Sequence, residues 1–245
     1  MNRGIQSAAI GMKSNQLLLD VVSNNLANLD TIGFKRDGVA FADLMEQQLT
    51  SFIGNQPQNI GSLGHGPQTQ ISYSVENVGP AVYTSNPLDV MLTQAKHYFT
   101  VETPNGIKYT RDGGFRVNDE GLLVTRDGFK VIDIGGNPIQ AGFPGQAVQV
   151  EISRDGKVIL DGVETAILDI RTGNLRKVGK TLYEGNPVPV DIPEIMSGAL
   201  EGSNVSAIDM MVQMISLMRS FESAQRAIRT HDEMTERLLQ SLTNR

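Results

Sequence analysis

Both ends of this chain carry apolar residues at helical spacing, on faces wider than one partner helix needs, and this constrains the fold more than any other feature. Near the N-terminus Ile5, Ala8, Met12, Leu19, Val22, Leu26 and Leu29 recur three, four or seven residues apart, and Ile10, Leu17, Leu18 and Val21 add a second strip. From Ser206 onward Ile208, Met211, Ile215, Met218, Phe221, Ile228, Met234 and Leu238 form one stripe, which Val212, Met214, Leu217 and Ala224 broaden. Two long amphipathic helices are predicted. Pairing them with each other would satisfy one face of each and leave further apolar surface wet, which monomers generally avoid. The excess predicts neighbours. Met210, Met211, Met214 and Met218 suit that purpose because methionine adapts to irregular contacts, although the same cluster is also ordinary core material.

Between the helices the texture changes. Residues 98–109, YFTVETPNGIKY, predict two short strands around a Pro-Asn-Gly turn. Residues 115–125 repeat the pattern around Asn118-Asp119-Glu120-Gly121, and residues 147–160 around Arg154-Asp155-Gly156-Lys157. Residues 166–170 and 181–183 add strands. TRDG occurs at 110–113 and 125–128, with SRDG at 153–156, and the tight reversals that Asp-Gly favours account for all three. Residues 53–70, rich in Gly, Gln and Asn, predict an extended connector. The class is α+β: N- and C-terminal helices forming a coiled-coil-type domain, with a central, mostly antiparallel β domain. The predicted divisions are an N-terminal helix over 1–32, a connector over 33–74, the β domain over 75–195 and a C-terminal helix over 196–245.

Little in the chain points to chemistry. Cysteine is absent, so disulfides, thiolate catalysis and Cys-based zinc sites are excluded. His65, His97 and His231 share no metal-ligand spacing, and His231 falls on a largely polar helix face where solvation is expected. No phosphate-binding glycine loop and no GxSxG element occurs. The expectation is no catalytic residue, metal, cofactor or small-molecule substrate. The net charge of −6 gives no support to a nucleic-acid or anionic-membrane partner. The early apolar run Leu17-Leu18-Leu19 ends at Asp20, too short for a secretory h-region or a spanning helix. Residence in the cytosol, or exit by a route that reads no cleavable signal, is the expectation.

The stretch NNLANLDTIGFK at 24–35 resembles the N-terminal signature of flagellar axial proteins: an Asn-Leu-Ala-Asn core, a short turn, then Gly-Phe. EGSNVSAIDMMVQMISLMRSFESAQRAI at 201–228 is similar to the matching C-terminal signature, in which Ser203-Asn204-Val205 precedes a helix carrying Arg219-Ser220-Phe221-Glu222. YTSNPLDVML at 83–92 and YTRDGGFRVNDEGLLVTRDG at 109–128 resemble the central domain of the rod subfamily. Within it, IMSGALEGSNV at 195–205 and Gln94-Ala95-Lys96-His97-Tyr98-Phe99, where a Gly-x-Gly-Phe-Phe-like run is absent, are more similar to the proximal than to the distal branch.

The resemblance implies a structural subunit of the bacterial flagellar rod. Its terminal helices would line a hollow, torque-transmitting shaft, with the β domain facing outward. It also implies other rod subunits and the flagellar type III export apparatus as partners, and a place in the periplasmic part of the basal body. On this reading Ile5, Met12, Leu19, Val22, Leu26 and Leu29 meet neighbouring subunits from the first helix. Met211, Ile215, Met218, Phe221 and Ile228 do so from the last. Asn24, Asn25 and Asn28 offer amides at a crowded junction, Gly33 permits the exit turn, Phe34 anchors it, and Ser203, Asn204 and Val205 contribute from the C-terminal side. The ends would fold only on assembly, leaving a protease-resistant core near residues 35–195. Two alternatives stand beside this reading: a distal-rod or hook-type axial protein, and an envelope enzyme acting on peptidoglycan.

Overall fold

The N-terminal stripe forms a helix, α1, over Arg3–Ala27, and the C-terminal stripe a longer one, α2, over Ala207–Thr243. The computed structural model describes residues 3–42, 46–53, 56–64, 69–142, 150–191 and 193–243. It divides into two units: Met1–Ala27, Asp37–Tyr73 and Ser206–Arg245 in one, Asn28–Arg36 and Ser74–Val205 in the other.

In the first unit α1 packs on α2. Ser206 caps α2, its Oγ accepting the Asp209 N–H at 3.4 Å and its carbonyl the Met210 N–H at 3.0 Å. Asp209 also places a negative charge where the helix dipole favours it. From Ala207 to Arg237, α2 shields only Ala207, Met210, Met214, Leu217, Phe221, Ala224, Ile228 and His231. Those positions alternate spacings of three and four, so they form one narrow seam, the face turned to α1. His231 thus sits half-buried on this seam, not in solvent. The Asn15 amide donates to Ser220 Oγ at 3.0 Å across the pair.

The 33–74 stretch holds more regular structure than its composition predicts. Asp37–Ala42 pairs with Thr69–Ser74, and Glu46–Ile53 forms an antiparallel hairpin with Gln56–Gly64. Backbone pairing there compensates for the lack of apolar alternation. At the other end, residues 196–206 are not helical. Ile195–Ser197 and Ala199–Glu201 are strands, hinged at Gly198 with φ +72°, and they pair antiparallel with Val90–Leu92 and Ala81–Tyr83. Glycine tolerates that left-handed conformation and breaks the helical run.

The second unit is built on an antiparallel sheet. Its order runs from Arg176–Lys177 through Leu182–Glu184, Gly106–Thr110, His97–Thr103, Lys130–Val131 and Leu123–Val124 to Arg116–Val117. The predicted hairpins are present, with Gly106, Gly121 and Gly156 at positive φ in their turns. The run 166–170 splits at Leu168–Asp169 into two strands, Val163–Ile167 and Ile170–Thr172. One core gathers Val90, Phe99, Val101, Phe115, Leu123, Val131, Ile152, Val158, Leu168 and Ile195, with Phe99 edge-on to Phe115 at 5.1 Å. Tyr98, Tyr109 and Tyr183 make a separate aromatic cluster.

α1 and α2 pair within one chain, so each has a partner before any other subunit is met. Together they hold 25 and 37 of the 245 residues, about a quarter. Far-UV circular dichroism of the dilute protein should show that fraction as helix; a spectrum without it would place the folding of the ends at assembly.

Candidate functional site: the junction of the two signature segments

Two asparagines, one from each signature, hold consecutive peptide groups of the chain. In the first unit Asn25, on the last turn of α1, donates from Nδ2 to the Asp37 carbonyl and accepts the Asp37 N–H at Oδ1, both at 2.8 Å. In the second unit Asn204 accepts the Arg36 N–H at 2.7 Å and donates to the Val75 carbonyl at 2.7 Å and the Asn77 carbonyl at 3.0 Å. An amide side chain carries both a donor and an acceptor, so it replaces a peptide group of a β ladder at each place. Asn25 is buried, and its amide is satisfied within its own chain, where a neighbour's backbone was expected. Asn28 is buried too, with Oδ1 accepting from Thr31 Oγ1 at 3.2 Å. Asn24 is exposed.

The Gly33–Arg36 segment then docks in the second unit. Gly33 adopts φ +67° and donates its N–H to the Glu201 carbonyl at 2.8 Å. A Cβ there would lie 2.6 Å from the Arg111 carbonyl carbon and 2.7 Å from the Asp112 nitrogen, both backbone. Gly33 therefore serves close approach as well as the turn. Phe34 is buried, with the Lys177 ammonium 3.7 Å from its ring centroid, and Lys177 also donates to the Lys35 carbonyl at 2.8 Å.

Beneath this segment lies a buried charge cluster. The Glu201 carboxylate, 0% exposed, accepts from Lys35 Nζ, from Arg111 Nε at 2.7 Å and from the Gly79 N–H at 2.9 Å. Lys35 Nζ also donates to the Asn77 carbonyl at 2.7 Å. Arg111, 1% exposed, spends Nη1 on the Gln94 and His97 carbonyls at 2.7 and 2.8 Å, and Nη2 on the Leu92 carbonyl at 3.2 Å. One anion thus serves two cations, and carbonyl dipoles carry the remainder. Burial, more than the nearby Arg111 charge, holds the Lys35 ammonium below its usual pKa, and Glu201 partly restores it.

Sequence reasoning missed all three charges. Lys35 and Glu201 lie inside the two signature segments, and Arg111 inside a TRDG whose Asp-Gly predicts a turn. The two later copies do turn: Gly128 N–H to Thr125 carbonyl at 2.9 Å, and Gly156 N–H to Ser153 carbonyl at 3.0 Å. In the first, Asp112 N–H bonds Thr110 Oγ1 and Gly114 N–H bonds Asp112 Oδ1 instead. The signal that separates them is the second glycine: this copy alone reads Gly113-Gly114, and at Gly113 the Val90 carbonyl leaves no room for a Cβ. The docked segments give the second unit residues 28–36 with 74–205, where a β domain over 75–195 was expected.

The remaining site residues divide between the units. Ser203 and Val205 are buried beside Asn204, and Leu29 is half-buried. Val22 is buried on α1, with Met12, Leu19 and Leu26 half-buried; the side chain of Ile5, like residue His65, lies outside the described residues. Phe221 and Ile228 lie on the α1 seam, whereas Met211, Ile215 and Met218 are each 52% exposed on another face of α2. Among the described residues no three His, Cys, Asp or Glu converge as a metal would require. No helix there is long and apolar enough to cross a membrane.

Two outcomes follow from the electrostatics. Glu201→Gln leaves two buried cations without their anion, a change that costs about 3–5 kcal/mol. Its thermal midpoint should fall by about 10 °C on the size scaling for domains of this length; a fall under about 2 °C would refute the role given to Glu201. His97 is buried with Nδ1 unpartnered among the described residues, and burial, then Arg111, depresses its pKa. Below pH 6.5 the unfolded chain takes up a proton that folded His97 resists, so stability is present above that pH and is lost as pH falls toward the folded value. Melting curves from pH 7.5 to 5 should show this loss, shallower in His97→Gln; identical slopes would remove His97 as the cause.

Comparison with known proteins places these segments. The flagella basal body rod protein profile matches residues 5–35, the flagellar hook protein FlgE/F/G D1 domain profile residues 93–160, and the flagellar basal body rod FlgEFG protein C-terminal profile residues 196–241. The chain is 31% identical to the flagellar basal-body rod protein FlgG of Bacillus subtilis, over 98% of each chain. It is 30% identical to FlgG of Caulobacter vibrioides, over 96% of this chain and 97% of that one. It is 28% identical to the flagellar basal-body rod protein FlgF of Rhizobium meliloti, over 99% and 98%. The charge cluster draws on two of the matched segments and the matched D1 region together: Lys35 from the first, Glu201 from the last, Arg111 from the middle. The chain belongs to the flagellar basal-body rod protein family.

Proposed function

We propose that this rod subunit polymerises through α1 and α2, as a coiled-coil inner layer, into the hollow shaft that transmits torque, and that it is of the proximal, FlgF-like type. The observation that carries the reading is the apolar stripe left on α2 after it has paired with α1. Ile208, Met211, Val212, Ile215 and Met218 are all more than half exposed, within three turns. Completing the burial of each such side chain contributes about 1 kcal/mol, half the value for full burial. Five of them give on the order of 5 kcal/mol per subunit, comparable with the whole stability of a small domain. Repeated head to tail, a contact of this kind generates a helical filament.

In this reading the inner layer comprises residues 1–32 and 196–245, joined by the 33–74 segment to a β domain over 75–195. Ile5, Met12 and Leu19 pack in the same layer. Asn25, Gly33, Phe34, Ser203, Asn204 and Val205 act within the subunit, fixing the chain on either side of the helices. Contacts with other rod proteins give stiffness, and no catalytic step, cofactor, nucleic acid, lipid or small-molecule substrate enters. The flagellar export apparatus delivers the subunit to the periplasmic rod. The Gln94–Phe99 run favours the proximal type over the distal, and the subunit's level in purified basal bodies separates the two.

The double variant Ile215→Glu with Met218→Glu tests the helix contact. The purified protein should keep its helix content and melting temperature, because both side chains lie off the α1 seam, while cells carrying it lose rods and swimming. Normal swimming would reject the helix contact.

A further inference from the structure

The first four turns of α2 hold four of the chain's ten methionines in three different surroundings. Met210 is 1% exposed, Met214 is half-buried on the α1 seam, and Met211 and Met218 lie seven residues apart on the outward stripe, flanking Ile215. There is no cysteine, so thioethers carry all of the chain's sulfur chemistry and no thiol competes for an oxidant.

We propose that Met211 and Met218 form a reversible oxidation site that governs whether the outward face of α2 can take a helix of a second subunit. The inference rests on the helix-packing reading above. Hydrogen peroxide supplies the oxygen. The thioether lone pair attacks the peroxide, the O–O bond breaks, an S=O bond forms, and the other oxygen leaves as water once a proton has moved to it. Sulfur loses two electrons and the peroxide gains them. The product is a polar, chiral sulfoxide on a face whose other members, Ile208, Val212 and Ile215, are apolar, so burying that face means desolvating a strong acceptor among apolar neighbours. Once a neighbour covers the stripe the sulfurs are shielded, which confines the chemistry to the unassembled subunit. Methionine sulfoxide reductases, one for each epimer, restore the thioethers.

The full-length protein, treated with millimolar hydrogen peroxide and mapped by peptide mass spectrometry over time, tests this first. Met211 and Met218 should gain one oxygen each at least tenfold faster than Met210 and Met91, which are buried in the two units. Equal rates, or protection of Met211 and Met218, would overturn the site. Sedimentation velocity across a concentration series then compares treated and untreated protein with the Met211→Leu, Met218→Leu double variant. Oxidation should weaken self-association of the natural chain at least tenfold, the reductases should restore it, and peroxide should leave the leucine variant's association where it stood before treatment. Unchanged association of the oxidised chain, or equal loss in the leucine variant, would overturn the control over assembly. Failure of even the untreated chain to associate would defeat the helix-packing reading and that control together, and the peptide map tells this case from a failed oxidation site.

Discussion

The folded chain depends on how the carboxylate of Glu201 is shared. Lys35 and Arg111 both bind it away from water, and the Gly79 N–H takes part. Neither cation is well placed without it, because a buried ammonium or guanidinium is costly unless its donors are met by acceptors. Arg111 in turn holds the carbonyls of Leu92, Gln94 and His97, which fixes the entry to the central strand His97–Thr103. The sheet, the strand leading to α2 and the segment leaving α1 therefore meet at one carboxylate. Apolar packing supplies most of the stability of such a domain, but it would tolerate several arrangements of these segments. Paired buried charges tolerate very few.

Around that anchor, glycines and amides do work that larger side chains could not. Gly33 lies against the Arg111–Asp112 backbone with no room for a Cβ, and Gly79 faces the Gly202 carbonyl in the same way. Asn25 and Asn204 act as detached peptide groups, each completing a hydrogen-bonding pattern that the main chain leaves open. In NNLANLDTIGFK it is Asn25 whose amide serves backbone geometry. Asn25 is inward and its amide is bonded within the chain, whereas the apolar flank of α2 around Met211, Ile215 and Met218 is exposed.

How much of this was legible in the sequence depended on the range of the interaction. Helices are local, and the apolar spacing from Ile5 to Leu29 and from Ile208 to Leu238 placed α1 and α2. Hairpins are local too, and Asn105-Gly106 and Asp155-Gly156 marked their turns. The strands Ile195–Ser197 and Ala199–Glu201 carry too short a pattern for periodicity to register, and their partners lie about a hundred residues earlier. The charge cluster joins residues 90 and 166 positions apart, which no local window spans. The three RDG elements mark the boundary most clearly. Identical chemistry gave a tight turn wherever local preference ruled, and a buried arginine where a distant carboxylate competed for it.

The separation of Lys35 from Glu201 sets an order of events during synthesis. Closing a loop of 166 residues costs about 4–5 kcal/mol of chain entropy before any contact offsets it. Until residues 201–204 have been made, Lys35 has no counter-ion, Arg111 lacks its acid, and the peptide groups of Arg36 and Val75 lack the Asn204 amide. A ribosome must therefore translate through Asn204 before the β unit can close. A nascent chain that stalls earlier keeps its polar socket open, with the groups meant for Glu201 and Asn204 left to water.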